Sequence, residues 1–194
     1  MTMRMEPIDE PKGLVPRIAN WMVKRRFGKV MAPMRVIYPR LPALYRLSYA
    51  ITRIEEKGLS LDPALTVLVT TYVAGLNGCT FCEDIGRAFA VYGRQSLDRL
   101  DAVADWSTSD VFTPAERAAL AYAEAVTKEI HVKDAVYEEL KRHFDDRAIV
   151  EITWLAAIEG YFNRLAGPLG IGNDGLCEIA VNRVGATRAP SASR

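Results

Sequence analysis

Two cysteines three positions apart, Cys79 and Cys82, stand at the front of the segment CTFCEDIGRAFAVYG, directly after the helix-breaking pair Asn77 and Gly78. A helix that starts here places both thiols beside backbone N–H groups that lack intrahelical acceptors, at the positive end of the helix dipole. That setting favours thiolate over thiol. A thiolate can attack a peroxide oxygen to give a sulfenic acid, and a neighbouring thiol can condense with it to form a disulfide. Two other readings fit the same pair. A structural zinc site needs four ligands, usually from a second paired motif, and only Cys177, His131 and His143 remain, without paired spacing. The third reading is small cysteines packed at a helix start.

Composition narrows the setting. With 194 residues, 49% of them hydrophobic and 25% charged, the chain can bury one substantial core. Three cysteines do not make a disulfide framework, and in a reducing compartment a close pair reads as a redox or metal site. Every long apolar stretch is interrupted well before the roughly 18 residues needed to span a bilayer. The stretch from Met1 to Arg17 has no apolar signal core, so a soluble cytoplasmic protein is expected. Residues 1–54 carry eleven Lys and Arg against three acids, which leaves fourteen against twenty-one in the remainder.

The elements that must position the cysteines follow from periodicity and caps. In VPRIANWMVKRRFGKV, Ile18, Trp21 and Met22 share one face of a basic amphipathic helix. Such a helix can pack on its own core or on a neighbouring subunit, bind an acidic partner, or lie on an anionic membrane; packing is the base-rate reading. Leu44, Leu47, Ile51 and Ile54 mark a second helix, stopped at Gly58. Asp62 and Pro63 then start ALTVLVTTYVAGL, which is apolar nearly all round. After the cysteine helix, closed by Gly93, Ser96 starts a short helix, and Thr113 with Glu116 forms a capping box around Pro114. A short helix over Ala135 to His143 and a long one capped by Asp145 or Asp146, ended by Gly167 and Pro168, complete an all-α fold of about eight helices.

Several matches carry no chemistry on this reading. Gly170, Gly172 and Gly175 have dinucleotide-motif spacing but follow a helix, so a C-cap and loop are expected. His131 and His143 read as surface or capping residues, and Trp21, Trp106 and Trp154 as core or interface packing, with no nucleic-acid partner.

Three segments together resemble the alkylhydroperoxidase D and carboxymuconolactone decarboxylase superfamily: LNGCTFCEDIGRAFA, FTPAERAALAYAEAVTKEI, and FDDRAIVEITWLAAIEGYFNRLAGPLGI with its Phe162-Asn163-Arg164-Leu165 signature. The resemblance spans about residues 40–175. It implies a domain over residues 41–184, which leaves the basic helical segment as an extension at 1–40, while the tail at 185–194, GATRAPSASR, lacks apolar periodicity and is expected to be disordered. It further implies homo-oligomers, commonly trimers or hexamers, without an organic cofactor; the unpaired spacing of Cys177, His131 and His143 leads to no metal being expected either. Members with the cysteine pair resemble peroxidases that reduce organic hydroperoxides and are recycled by a dithiol partner. By that resemblance Cys82 is the attacking thiol and Cys79 its resolving partner.

The sequence departs from the peroxidase pattern at its proton relay. A glutamate twelve positions before the first cysteine and a histidine four after the second are replaced by Val67 and Gly86, neither of which accepts a proton. Glu83 and Asp84 disfavour another anion beside them, and Arg87 has the spacing to pair with Glu83 on the surface. Glu159, in the apolar run from Trp154 to Phe162, is a candidate for the missing base; an ordinary pairing with a basic residue is the alternative. The functional expectation is a thiol-dependent peroxidase. The alternatives are a redox-sensing helical oligomer and, last, a decarboxylase-like enzyme.

Overall fold

The computed structural model describes residues 3–188, in which ten α-helices follow one another without a strand. They are α1 (Leu14–Phe27), α2 (Ala32–Val36), α3 (Ala43–Lys57), α4 (Pro63–Leu76), α5 (Thr80–Tyr92), α6 (Leu97–Asp101), α7 (Pro114–Glu129), α8 (Asp134–Lys141), α9 (Asp146–Ala166) and α10 (Leu176–Arg188). Short 3-10 turns cover Ala102–Asp105 and Gly167–Leu169. The local start signals act as expected. The Asp62 carboxylate accepts from the Ala64 N–H at 2.6 Å, and Thr113 and Glu116 close a reciprocal capping box. Of the two candidate caps for α9 it is Asp145 that accepts from the Ala148 N–H, at 2.8 Å.

Helix α4 offers apolar side chains in every direction and is enclosed by α5, α7 and α9. Its Leu68, Val69, Tyr72 and Val73 meet Leu120 of α7 and Ile152 and Leu155 of α9 in the main core. A second apolar cluster lies toward the N-terminal end of α5. There Cys79, Phe81, Cys82 and Ala88 pack with Phe27, Val36, Ala166, Ile171, Leu176 and Ala180.

Two helices exceed the sequence expectation. Helix α2 has five residues with a proline near its start, too few to show a period. Helix α10 has little amphipathic character and continues to Arg188, so the expected disordered tail is helical through its first four residues; the rest of that tail lies outside the described residues. The first helix also differs from a core-packed amphipath. It buries Pro16, Asn20 and Phe27, while Ile18, Trp21 and Met22 face outward at 48%, 61% and 51% exposure. Trp21 lies beneath the Arg25 guanidinium, whereas Trp106 and Trp154 pack against the main core.

Candidate active site

Helix α4 ends at Leu76 with Asn77 as its C-cap, and Gly78 takes φ 64°, a left-handed turn that lets the chain reverse into α5. The turn is closed by the Cys79 N–H donating to the Ala74 carbonyl at 2.9 Å. Cys79 thereby becomes the N-cap residue of α5 and Cys82 lies in its first turn, with Cα atoms 5.3 Å apart and the two sulfurs joined as a disulfide. Both residues are buried, at 3% and 5% exposure.

At the two positions where the peroxidase relay would stand, packing takes the place of proton transfer. Val67 lies against the main core. Gly86 faces Thr71 of α4 so closely that any Cβ at this position would collide with the Thr71 hydroxyl oxygen. The absence of a side chain here is what lets α4 and α5 approach.

Asp84 is buried and spends both carboxylate oxygens on the start of α10. It accepts from the N–H groups of Asp174, Leu176 and Cys177 at 3.0, 2.8 and 2.9 Å. Its charge thus meets the positive end of a helix. Arg87 departs from the expected pairing with Glu83, because its guanidinium binds Asp101 at 2.7 Å and also contacts Cys177. The Gly170–Asp174 loop is tied down by Asp174, which accepts from Lys29 Nζ at 2.6 Å and from the Ala32 N–H at 2.8 Å. Between this loop and the Thr80, Glu83 and Arg87 stripe of α5 lies an open cavity of about 800 Å³. At 3.6 residues per turn, Cys79, Cys82 and Gly86 form a different stripe, about a third of a turn away.

Among the described residues, no basic side chain pairs with Glu159. Its Oε1 accepts from Asn163 Nδ2 at 2.6 Å, and Asn163 Oδ1 in turn accepts from Asn77 Nδ2 at 2.8 Å. Burial pushes the Glu159 carboxyl up to about 7, the Asn163 amide opposing this and the charge of Glu55 on α3 adding to it. Burial likewise raises Glu55 to about 7, helped by Glu56 and opposed by Arg26. Sequence reasoning singled out Glu159 but missed Glu55, Asn77 and Asn163 as its neighbours. The signal for Asn163 was present, since it belongs to the signature segment and is a polar residue on an apolar helix. Among the described residues, no three His, Cys, Asp or Glu side chains converge as a metal-holding group.

Residues 42–125 match the carboxymuconolactone decarboxylase family. Over 172 residues the chain is 36% identical to the uncharacterized protein YnjA of Escherichia coli K12, covering 88% of this chain and 94% of that one. The chain belongs to the alkylhydroperoxidase D and carboxymuconolactone decarboxylase superfamily. Solved structures agree with that membership. A protein of unknown function from Agrobacterium tumefaciens, connected by its name with antioxidant defence and AhpD, is 27% identical, with a TM-score of 0.66 over 70% of this chain and 94% of that one. The alkylhydroperoxidase AhpD core of a peroxidase-related protein from Ralstonia eutropha JMP134 shares the fold, at 23% identity and a TM-score of 0.74 over 91% and 98% of the two chains. Within the superfamily, this member carries its cysteine pair at the start of α5 with glycine and valine at the relay positions.

Proposed function

We propose that this chain is a thiol-dependent peroxidase that reduces organic hydroperoxides through a dithiol and disulfide cycle of Cys79 and Cys82. The observation that carries the reading is the bonded pair itself, two buried sulfurs at a helix start that correspond to the oxidised end of such a cycle. In the reduced protein the Cys82 thiolate attacks the terminal oxygen of the hydroperoxide. The O–O bond breaks, the alkoxide takes a proton and leaves as an alcohol, and Cys82 becomes a sulfenic acid. The Cys79 thiol then attacks the Cys82 sulfur, the S–S bond forms and water leaves. A dithiol reductant, protein or small molecule, restores both thiols through a mixed disulfide. The cycle as written calls for no organic cofactor, and it suits the reducing cytoplasm.

Glu159 stands in this proposal as the substitute base. A carboxyl titrating near neutrality is matched to taking a proton from a thiol, and Glu159 is held one hydrogen-bonded amide away from Asn77, two residues before Cys79. The same reading has the subunits form a homo-oligomer. The outward apolar face of α1 meets a second copy, and the basic first quarter of one chain complements the acidic remainder of another.

Consumption of cumene hydroperoxide in the presence of a dithiol, compared among wild type, Cys79→Ser and Cys82→Ser, tests the activity. Wild-type turnover no faster than that of both variants ends the peroxidase reading and leaves the redox-sensing oligomer. A Glu159→Gln protein whose thiol reactivity follows the wild-type pH profile removes Glu159 from the mechanism.

A further inference from the structure

Asn163 lies in the signature segment of α9 and has no part in the thiol cycle as written. Its side chain is buried at 5% exposure, and both ends of its amide are engaged, the oxygen by Asn77 Nδ2 and the nitrogen by Glu159 Oε1. Turning the amide over would set N–H against N–H at one end and oxygen against carboxylate at the other, so its orientation is fixed. One end of this bridge is the side chain of Asn77, in the turn that delivers Cys79 to the head of α5; the other is a largely buried carboxyl one turn earlier on α9 itself. The span from Asn77 to Asn163 crosses 86 positions of sequence and ties the end of α4 to α9.

We infer that Asn163 is a positioning residue of the redox centre, clamping the Asn77–Cys79 turn to Glu159 so that the protonation of this carboxyl and the reactivity of the cysteine pair are coupled. The inference rests on the reading that the pair is redox-active. An ionised Glu159 accepts a stronger hydrogen bond from the Asn163 amide than a protonated one does, so the clamp tightens as the proton leaves. The charges around Glu159 set where that happens. Glu55 faces it from α3, with Glu56 beside Glu55 and Arg26 of α1 paired to Glu56. On the cysteine helix Asp84 is engaged by α10 and Arg87 by Asp101, leaving Glu83 as the nearby carboxylate beside the turn.

The test measures iodoacetamide alkylation of Cys79 and Cys82 in the reduced full-length protein from pH 5 to 9, without peroxide. Wild type should show an inflection near pH 7, where Glu159 changes charge. Asn163→Ala removes the bond that favours the charged carboxyl, so this inflection moves up by about one unit and the rate at pH 7 falls about fivefold. Glu55→Gln removes a like charge and moves it down. Asn77→Ala leaves its position unchanged and lowers its amplitude, and this variant with Glu55→Gln carries the test if Asn163→Ala does not fold. A wild-type profile without the inflection near pH 7 overturns the inference. So does an Asn163→Ala protein with a lowered Tm but an unchanged profile. A wild-type profile with the inflection but no peroxide turnover removes the peroxidase reading and leaves the clamp standing.

Discussion

Thr71 of α4 occupies the space beside Gly86 of α5 that a side chain at position 86 would need. Alanine at this position would gain about 1 kcal/mol of helix propensity and lose about 1–3 kcal/mol to overpacking. We therefore expect Gly86→Ala to lower stability by about 1 kcal/mol and Gly86→His by more than about 3 kcal/mol. Adding Thr71→Ala should recover most of the Gly86→Ala loss, because it removes the colliding hydroxyl. Urea denaturation midpoints of the single and double variants check this, and additive effects would contradict the contact.

The two raised carboxyls make stability depend on pH in a defined direction. Glu159 has its ordinary value of 4.5 in the unfolded chain and about 7 in the folded one, so above pH 4.5 the native state holds a proton that the unfolded state releases. The stability it contributes is full below pH 4.5 and is lost as pH rises through about 7. Glu55 acts in the same sense. Glu159→Gln mimics the protonated form, and we expect it to match wild type near pH 5 and to exceed it by about 2 kcal/mol at pH 8. Unfolding curves that stay parallel across that range would contradict the assignment.

Asp84 is the N-terminal cap of a helix that begins 92 positions later, judged by its bond to the Leu176 N–H. Asp84→Ala leaves three backbone donors without their acceptor and should cost about 2–4 kcal/mol. Asp84→Asn, which keeps an acceptor oxygen, should cost less. Hydrogen exchange should rise along α10 in the alanine variant while α4 stays protected; equal exchange in the two proteins would refute the capping role.

The outward face of α1 gives the assembly proposal a direct check. Ile18→Asp and Trp21→Asp change side chains that touch solvent in the monomer, so helix content by circular dichroism should not change. Light scattering should show a larger species in wild type and a smaller one in the variants. Wild-type monomer, or an unchanged mass in both variants, would rule out this face as the subunit contact.

The sequence by itself determined what depends on neighbours within a helical turn. The Asp62-Pro63 start, the Thr113 and Glu116 capping box and the helix start at the cysteine pair are local hydrogen-bond and dihedral preferences, and each was legible, although Cys79 caps α5 and only Cys82 lies in its first turn. Where short range and long range compete, the local reading failed. Glu83 stands four positions from Arg87, yet Arg87 binds Asp101, because the packing of α5 beside α6 brings that carboxylate within 2.7 Å. Ile18, Trp21 and Met22 share a face as the periodicity said, but the fold turned that face outward. Tertiary structure alone decided the candidate site's surroundings. Asp84 meets α10, Asn163 meets Asn77, and Glu55 comes beside Glu159 across separations that no periodic pattern spans. A buried polar group must find a partner, and which one it finds is set by how the helices stack.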